Sequence, residues 1–182
     1  MPPSKTKVIL IADDLTGALD SVVAFAARGL RCIVSRNVDH LSHALNQEYD
    51  VVGVSTGTRE LPSEEATEVL AQVRTLIAGH PAIRMKKIDS RLKGHIAEEV
   101  ATLSAGSQQP VFVSPALPRL GRFVHNGFLS GTAVETPICI AERIGLEAEI
   151  PDVATSEALF QSLPDDLTHP LFVGAAGLAE AL

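Results

Sequence analysis

Six short runs dominated by apolar residues recur along the chain, at 8–12, 31–35, 51–55, 83–88, 111–114 and 171–174. Each is too short for a helix and long enough for a buried strand. Between the third and fourth runs the spacing changes. Ala66, Val69, Leu70, Val73, Leu76 and Ile77 line one face of a helix, with Ser63 after Pro62 as the expected N-cap. Glu64 and Glu65 fall in its first turn, where the helix dipole favours acids, and Gly79 is a fitting stop. Leu15, Leu19, Val22 and Ala26 predict a second apolar stripe, closed by Gly29. Strands alternating with helices imply parallel pairing through right-handed crossovers. The expected fold is α/β: a layered, mostly parallel sheet flanked by helices, Rossmann-like and three-layered.

Past Pro115 the alternation breaks. Residues 120–135 read as loop and hairpin, with Asn126-Gly127 the expected tight turn. Residues 136–155 read as irregular with a short helix, 156–163 as a short helix, and 171–182 as a strand entering a glycine-opened helix. At 182 residues, 46% hydrophobic and 20% charged, the chain suits a single globular domain spanning 1–182. A formal net charge of -7 argues against nucleic acid or an anionic membrane as the main partner. Cys32 and Cys139 are too few and too far apart for a disulfide framework or a zinc site. The leading MPPSKTK is followed by too short an apolar run for a signal peptide or membrane span, so the expected location is cytoplasmic.

In open parallel sheets, ligands sit beyond the carboxyl ends of the strands. Those ends read Asp13-Asp14-Leu15-Thr16-Gly17, Ser55-Thr56-Gly57-Thr58-Arg59, Lys86-Lys87-Ile88-Asp89-Ser90-Arg91, Ser114-Pro115 and Gly174-Ala175-Ala176-Gly177. Asp13, Asp14 and Asp89 are acceptors for hydroxyls or a metal; Arg59, Lys86, Lys87 and Arg91 are cations that answer them or an incoming anion. Thr16, Thr56, Thr58 and Ser90 serve either purpose. Donors and acceptors together suit a small ligand with one carboxylate and several hydroxyls. Plainer roles stand beside this one. Asp14 or Thr16 can simply cap the first helix, and Asp89 can pair structurally with Lys86 or Arg91. His95 and His125 have no partner at metal-ligand spacing, and Gly174 to Gly177 reads as helix–strand packing. A phospho-receiver domain also places two acids after its first strand. It needs an acceptor aspartate after the third, where this chain has Ser55-Thr56-Gly57-Thr58.

The stretches IADDLTGALD, VSTGTRELPSEEA, KKIDSRLKGHI, SPALPRLGRFVHNGFLSG and VGAAGLAEAL, in this order, resemble the N-terminal sugar-binding domain of the four-carbon acid sugar kinases. The resemblance implies ATP-dependent phosphorylation of threonate-, erythronate- or oxo-tetronate-type acids. It implies a pocket lined by Asp13, Asp14, Thr16, Arg59, the segment Lys87 to Arg91 with Asp89 and Ser90, and Gly121-Arg122. Asp13 or Asp14 would hold substrate hydroxyls, Arg59 or Arg122 would clamp the carboxylate, and Asp14 or Asp89 would be the catalytic base. Three departures stand out. Arg91 and Lys93 replace a threonine and an arginine, the region after Glu135 is shortened, and the family's nucleotide-binding domain is absent from the 182 residues. ATP with Mg is therefore expected on a separate domain or subunit, and no metal on this chain. A standalone, non-catalytic sugar-acid sensor is the alternative, and self-association is open.

Overall fold

Strand β1 (Val8–Ala12) is buried at every position, because it lies in the middle of a sheet covered on both faces. The computed structural model describes residues 6–182; the reading of the first five residues lies outside that range. Beside β1 stand β3 (Val51–Ser55) and β4 (Ile83–Lys87), both parallel to it. Ala12 is level with Ser55 on one side and with Lys87 on the other. The polar tips of three strands thus meet at one rim. Edge strand β2 (Cys32–Ser35) pairs with β3, and β9 (Leu171–Gly174) lies between β4 and β5 (Val111–Ser114). The order is β2-β3-β1-β4-β9-β5, parallel throughout.

Helix α1 (Leu15–Ala26) packs with α7 (Ala176–Ala181), and α3 (Ser63–Ile77) with α4 (Ile96–Ser104). Right-handed β1-α1-β2 and β3-α3-β4 crossovers run in opposite directions along the sheet, which puts these helix pairs on opposite faces. Short α2 (Leu41–Leu45), α5 (Ile140–Ile144) and α6 (Ser156–Gln161) fill the remaining connections. Among the described residues no helix is long and apolar enough to cross a membrane.

Several expectations need correction. The buried face of α1 is Gly17, Ala18, Ser21, Val22 and Phe25, whereas Leu15 and Leu19 are exposed. Small residues let the helix approach the sheet closely, and a Cβ on Gly53 of β3 would stand only 3.0 Å from Val22 there. Ser63 is the first residue of α3, not its cap; Pro62 takes the boundary and makes no side-chain capping bond. Residues 120–135 form more than a hairpin. Strands β6 (Arg122–His125), β7 (Phe128–Gly131) and β8 (Val134–Cys139) make an antiparallel sheet, so part of the stretch read as irregular is strand. Asn126 and Gly127 do form the β6–β7 turn, with φ of 49° and 77° as a type I′ turn requires.

Candidate functional site

Two aspartates at one strand tip repel each other unless a cation stands between them, and here Arg59 does. Its Nε donates to Asp13 Oδ2 at 2.9 Å and its Nη2 to Asp13 Oδ1 at 2.7 Å, a two-pronged grip. The remaining prong, Nη1, donates to Asp14 Oδ2 at 2.5 Å. Asp13 is nearly buried (side chain 5% exposed), and Asp14 and Arg59 are about a quarter to a third exposed (31% and 27%). Hydrogen bonding to Asp13 raises the guanidinium's pKa above its ordinary value, against the opposing effect of burial; Asp14 and Asp89 add to the rise.

Asp14 has two roles. While Oδ2 faces Arg59, Oδ1 accepts the Gly17 amide at 2.6 Å and caps α1. Gly17 has no room for a side chain, since a Cβ there would stand 2.6 Å from Asp14 Oδ1 and 3.1 Å from Lys87 Nζ. Lys87, at the tip of β4, is buried and donates to Ile88 O at 3.0 Å. Burial pushes its pKa below the ordinary 10.5, while Asp13, Asp14 and Asp20 pull the other way and Arg59 adds to the fall. Between the lowered value and 10.5 the unfolded chain holds more protons than the folded one, so stability climbs with pH across that window and is smaller beneath it. Replacing Lys87 with methionine flattens this alkaline climb, as urea unfolding at graded pH will show; the same slope in the variant would place its origin elsewhere.

The rest of the rim comes from the segment after β4 and from the second sheet. Asp89 Oδ1 accepts the Arg91 amide at 2.9 Å, closing a tight turn. Lys86 does not pair with Asp89: it points to the other face of the sheet and meets Glu99 of α4. Arg122 Nη1 donates to Ser90 Oγ at 2.8 Å and Nε to Thr132 O at 3.0 Å, tying β6 to this segment. Gly121, just before it, adopts a left-handed φ of 69°. Thr16 is exposed on the first turn of α1.

Thr58 is placed differently from expectation. It is fully buried and donates its hydroxyl to Glu99 Oε1, beneath the turn that carries Arg59, so it supports the rim instead of facing a ligand. The structure thus gathers Asp13, Asp14, Arg59 and Lys87, sets Asp89 close enough to act on Arg59 electrostatically, and joins Ser90 to Arg122. The groove of about 590 Å³ beside β2, lined in part by Arg36, Asn37, His40 and His43, has no carboxylate among its lining residues.

Glu99, which the strand-tip reading does not include, and His95, read there only as lacking a partner at metal-ligand spacing, both belong to this architecture. Ile96, Glu99, Val100 and Leu103 form the buried face of α4. A charged residue at helical spacing among apolar ones is the signal that would have found it. His95 Nε2 bonds Leu61 O at 2.7 Å, at the far end of the Arg59 turn.

Comparisons with known proteins identify the family of the chain. Residues 8–139 match the family model described as "Sugar-binding N-terminal domain". A D-threonate kinase of Salmonella typhimurium is 30% identical over 227 aligned residues, covering 97% of this chain and 53% of that protein. A D-erythronate kinase of Heliobacterium modesticaldum is 29% identical over 127 residues, 68% of this chain and 29% of that one. The chain therefore spans about half or less of these curated relatives. Among solved structures, a Bordetella bronchiseptica domain of unknown function, crystallised with citrate as a domain-swapped dimer, superposes with a TM-score of 0.80 at 22% identity. It covers 96% of this chain, which covers 54% of it. The strand-tip cluster thus lies within the matched residues, and this chain belongs to the family of sugar-binding N-terminal domains.

Proposed function

We propose that this chain is the substrate-binding domain of an ATP-dependent four-carbon acid sugar kinase, holding a threonate- or erythronate-type acid at the rim of β1, β3 and β4. The carrying observation is the grip of Arg59 on Asp13 and Asp14. It fixes two carboxylates side by side, with lone pairs left to accept neighbouring hydroxyls. Three N–H donors of Arg59 are thereby committed to aspartates, so the substrate carboxylate falls to Arg122, with Arg91 near it. Arg122 already anchors on Ser90 and Thr132, which leaves donors to present.

In the complete enzyme ATP with Mg, held by residues outside these 182, would supply the phosphoryl group. The domain's contribution is to fix the reacting hydroxyl in place, with Asp14 or Asp89 positioned to take its proton. Phosphoryl transfer depends more on such positioning and on charge neutralisation than on the strength of the base.

Calorimetry on the 182-residue chain tests the assignment. D-Threonate or D-erythronate is expected to bind with a Kd of about 1 mM or tighter, near -4 kcal/mol or stronger. ATP with Mg is expected to give no measurable heat. Tight ATP binding with no sugar-acid binding would reverse the assignment.

A further inference from the structure

Lys86 and Lys87 are neighbours on β4 and point to opposite faces of the sheet. Lys87 faces the aspartates. Lys86 is fully buried on the other side and meets Glu99 Oε2 at 2.5 Å, with Glu99 itself 2% exposed. A buried ion pair is weak evidence for stability, because apolar residues of similar size fill such a space as well or better. It therefore calls for another reason, and the second oxygen of Glu99 supplies one. Oε1 accepts the Thr58 hydroxyl, and Thr58 Oγ1 also lies 2.9 Å from Thr56 Oγ1, which is 3.0 Å from Ala12 O at the tip of β1.

Thr58 precedes Arg59 in the chain. The Arg59 amide bonds Asp13 O at 3.4 Å, and the turn closes with Leu61 N on Thr58 O at 3.1 Å. Leu61 O in turn accepts a hydrogen bond from His95, immediately before α4, so α4 and its entry hold both ends of the turn. Hydroxyl, carboxylate and ammonium form one chain from the far side of the sheet to the residue that grips the aspartates.

We infer that Glu99, held by Lys86 and acting through Thr58, is a positioning residue that sets Arg59 in the orientation needed to clamp Asp13 and Asp14. This deepens the reading proposed above and rests on it for its consequence in substrate binding. The geometry of Arg59 itself can be read without any ligand.

The test uses the full chain labelled at arginine nitrogen, in which the Arg59 Nε–H resonance is identified by its loss in Arg59→Lys. In the unaltered chain this proton is bonded to Asp13 and is expected to exchange slowly with water. Thr58→Val keeps the Lys86–Glu99 pair, so the fold is expected to survive. Its Arg59 Nε–H is expected to exchange about tenfold faster or more, and D-threonate affinity to fall about tenfold. Thr58→Ser, which keeps the hydroxyl, restores both. Should Thr58→Val fail to fold, the double variant Lys86→Met with Glu99→Leu, which removes the carboxylate without stranding a buried lysine, decides in the same measurement, with the same loss of protection expected. A folded Thr58→Val protein, or a folded double variant, with unchanged Arg59 protection overturns the inference, as does failure of Thr58→Ser to restore it. If the unaltered chain binds no D-threonate, the functional reading fails, while the Arg59 resonance still answers for the positioning role.

Discussion

Arg59→Ala is expected to abolish sugar-acid binding and to lower stability by about 3 kcal/mol, the lower end of what is lost when one partner of a buried charge pair is removed. The lower end applies because Arg59 and Asp14 keep partial contact with water. Three hydrogen bonds go at once, and Asp13, nearly buried, is left beside Asp14 with the charge of Lys87 still acting on both. Arg59→Lys should recover part of the stability and little of the binding, since an ammonium cannot span both carboxylates as a planar fork does. Urea unfolding gives the first number and calorimetry with D-threonate the second. A loss below about 1 kcal/mol, typical of exposed pairs, would show that the aspartates do not depend on this cation.

A larger loss is expected on the other face of the sheet. Lys86→Met should cost about 4 kcal/mol, because Glu99 is then buried with no opposite charge to offset its lost hydration. Adding Glu99→Leu should return stability to within about 1 kcal/mol of the starting protein, as apolar replacement of a buried pair commonly does. Function should not return with it. The double variant has no carboxylate for the Thr58 hydroxyl, so the Arg59 turn loses its support and D-threonate affinity stays low. Equilibrium unfolding of both single variants and the double one, alongside calorimetry, separates the two effects. Full recovery of binding in the double variant would assign the pair to stability alone.

The strand tips were legible because a parallel sheet imposes a simple rule: short apolar runs end together, so the polar residues that follow them meet. Asp13, Arg59 and Lys87 were found this way although they are far apart in sequence. Two kinds of information were not legible. Apolarity identified Leu15 and Leu19 as the inner face of α1, but close packing on the sheet selected size, and Gly17, Ala18 and Ser21 went inside. Direction was hidden as well. Thr58 and Arg59 look like equal members of a polar tip, yet a tight turn after the left-handed Gly57 sends one hydroxyl into the interior and one guanidinium to the rim. Glu99 lies away from the strand tips in sequence, and only the three-dimensional fold reveals that a buried lysine lies opposite it.

The position of β9 sets an order on folding. It separates β4 from β5, so β5 has no strand neighbour in the large sheet until residues 171–174 have been synthesised. A chain emerging from the ribosome must keep Val111, Phe112 and Val113 waiting through the whole small sheet and two helices before the last strand arrives. Such late, long-range closure slows folding and lengthens the time in which an unpaired strand edge is open to aggregation.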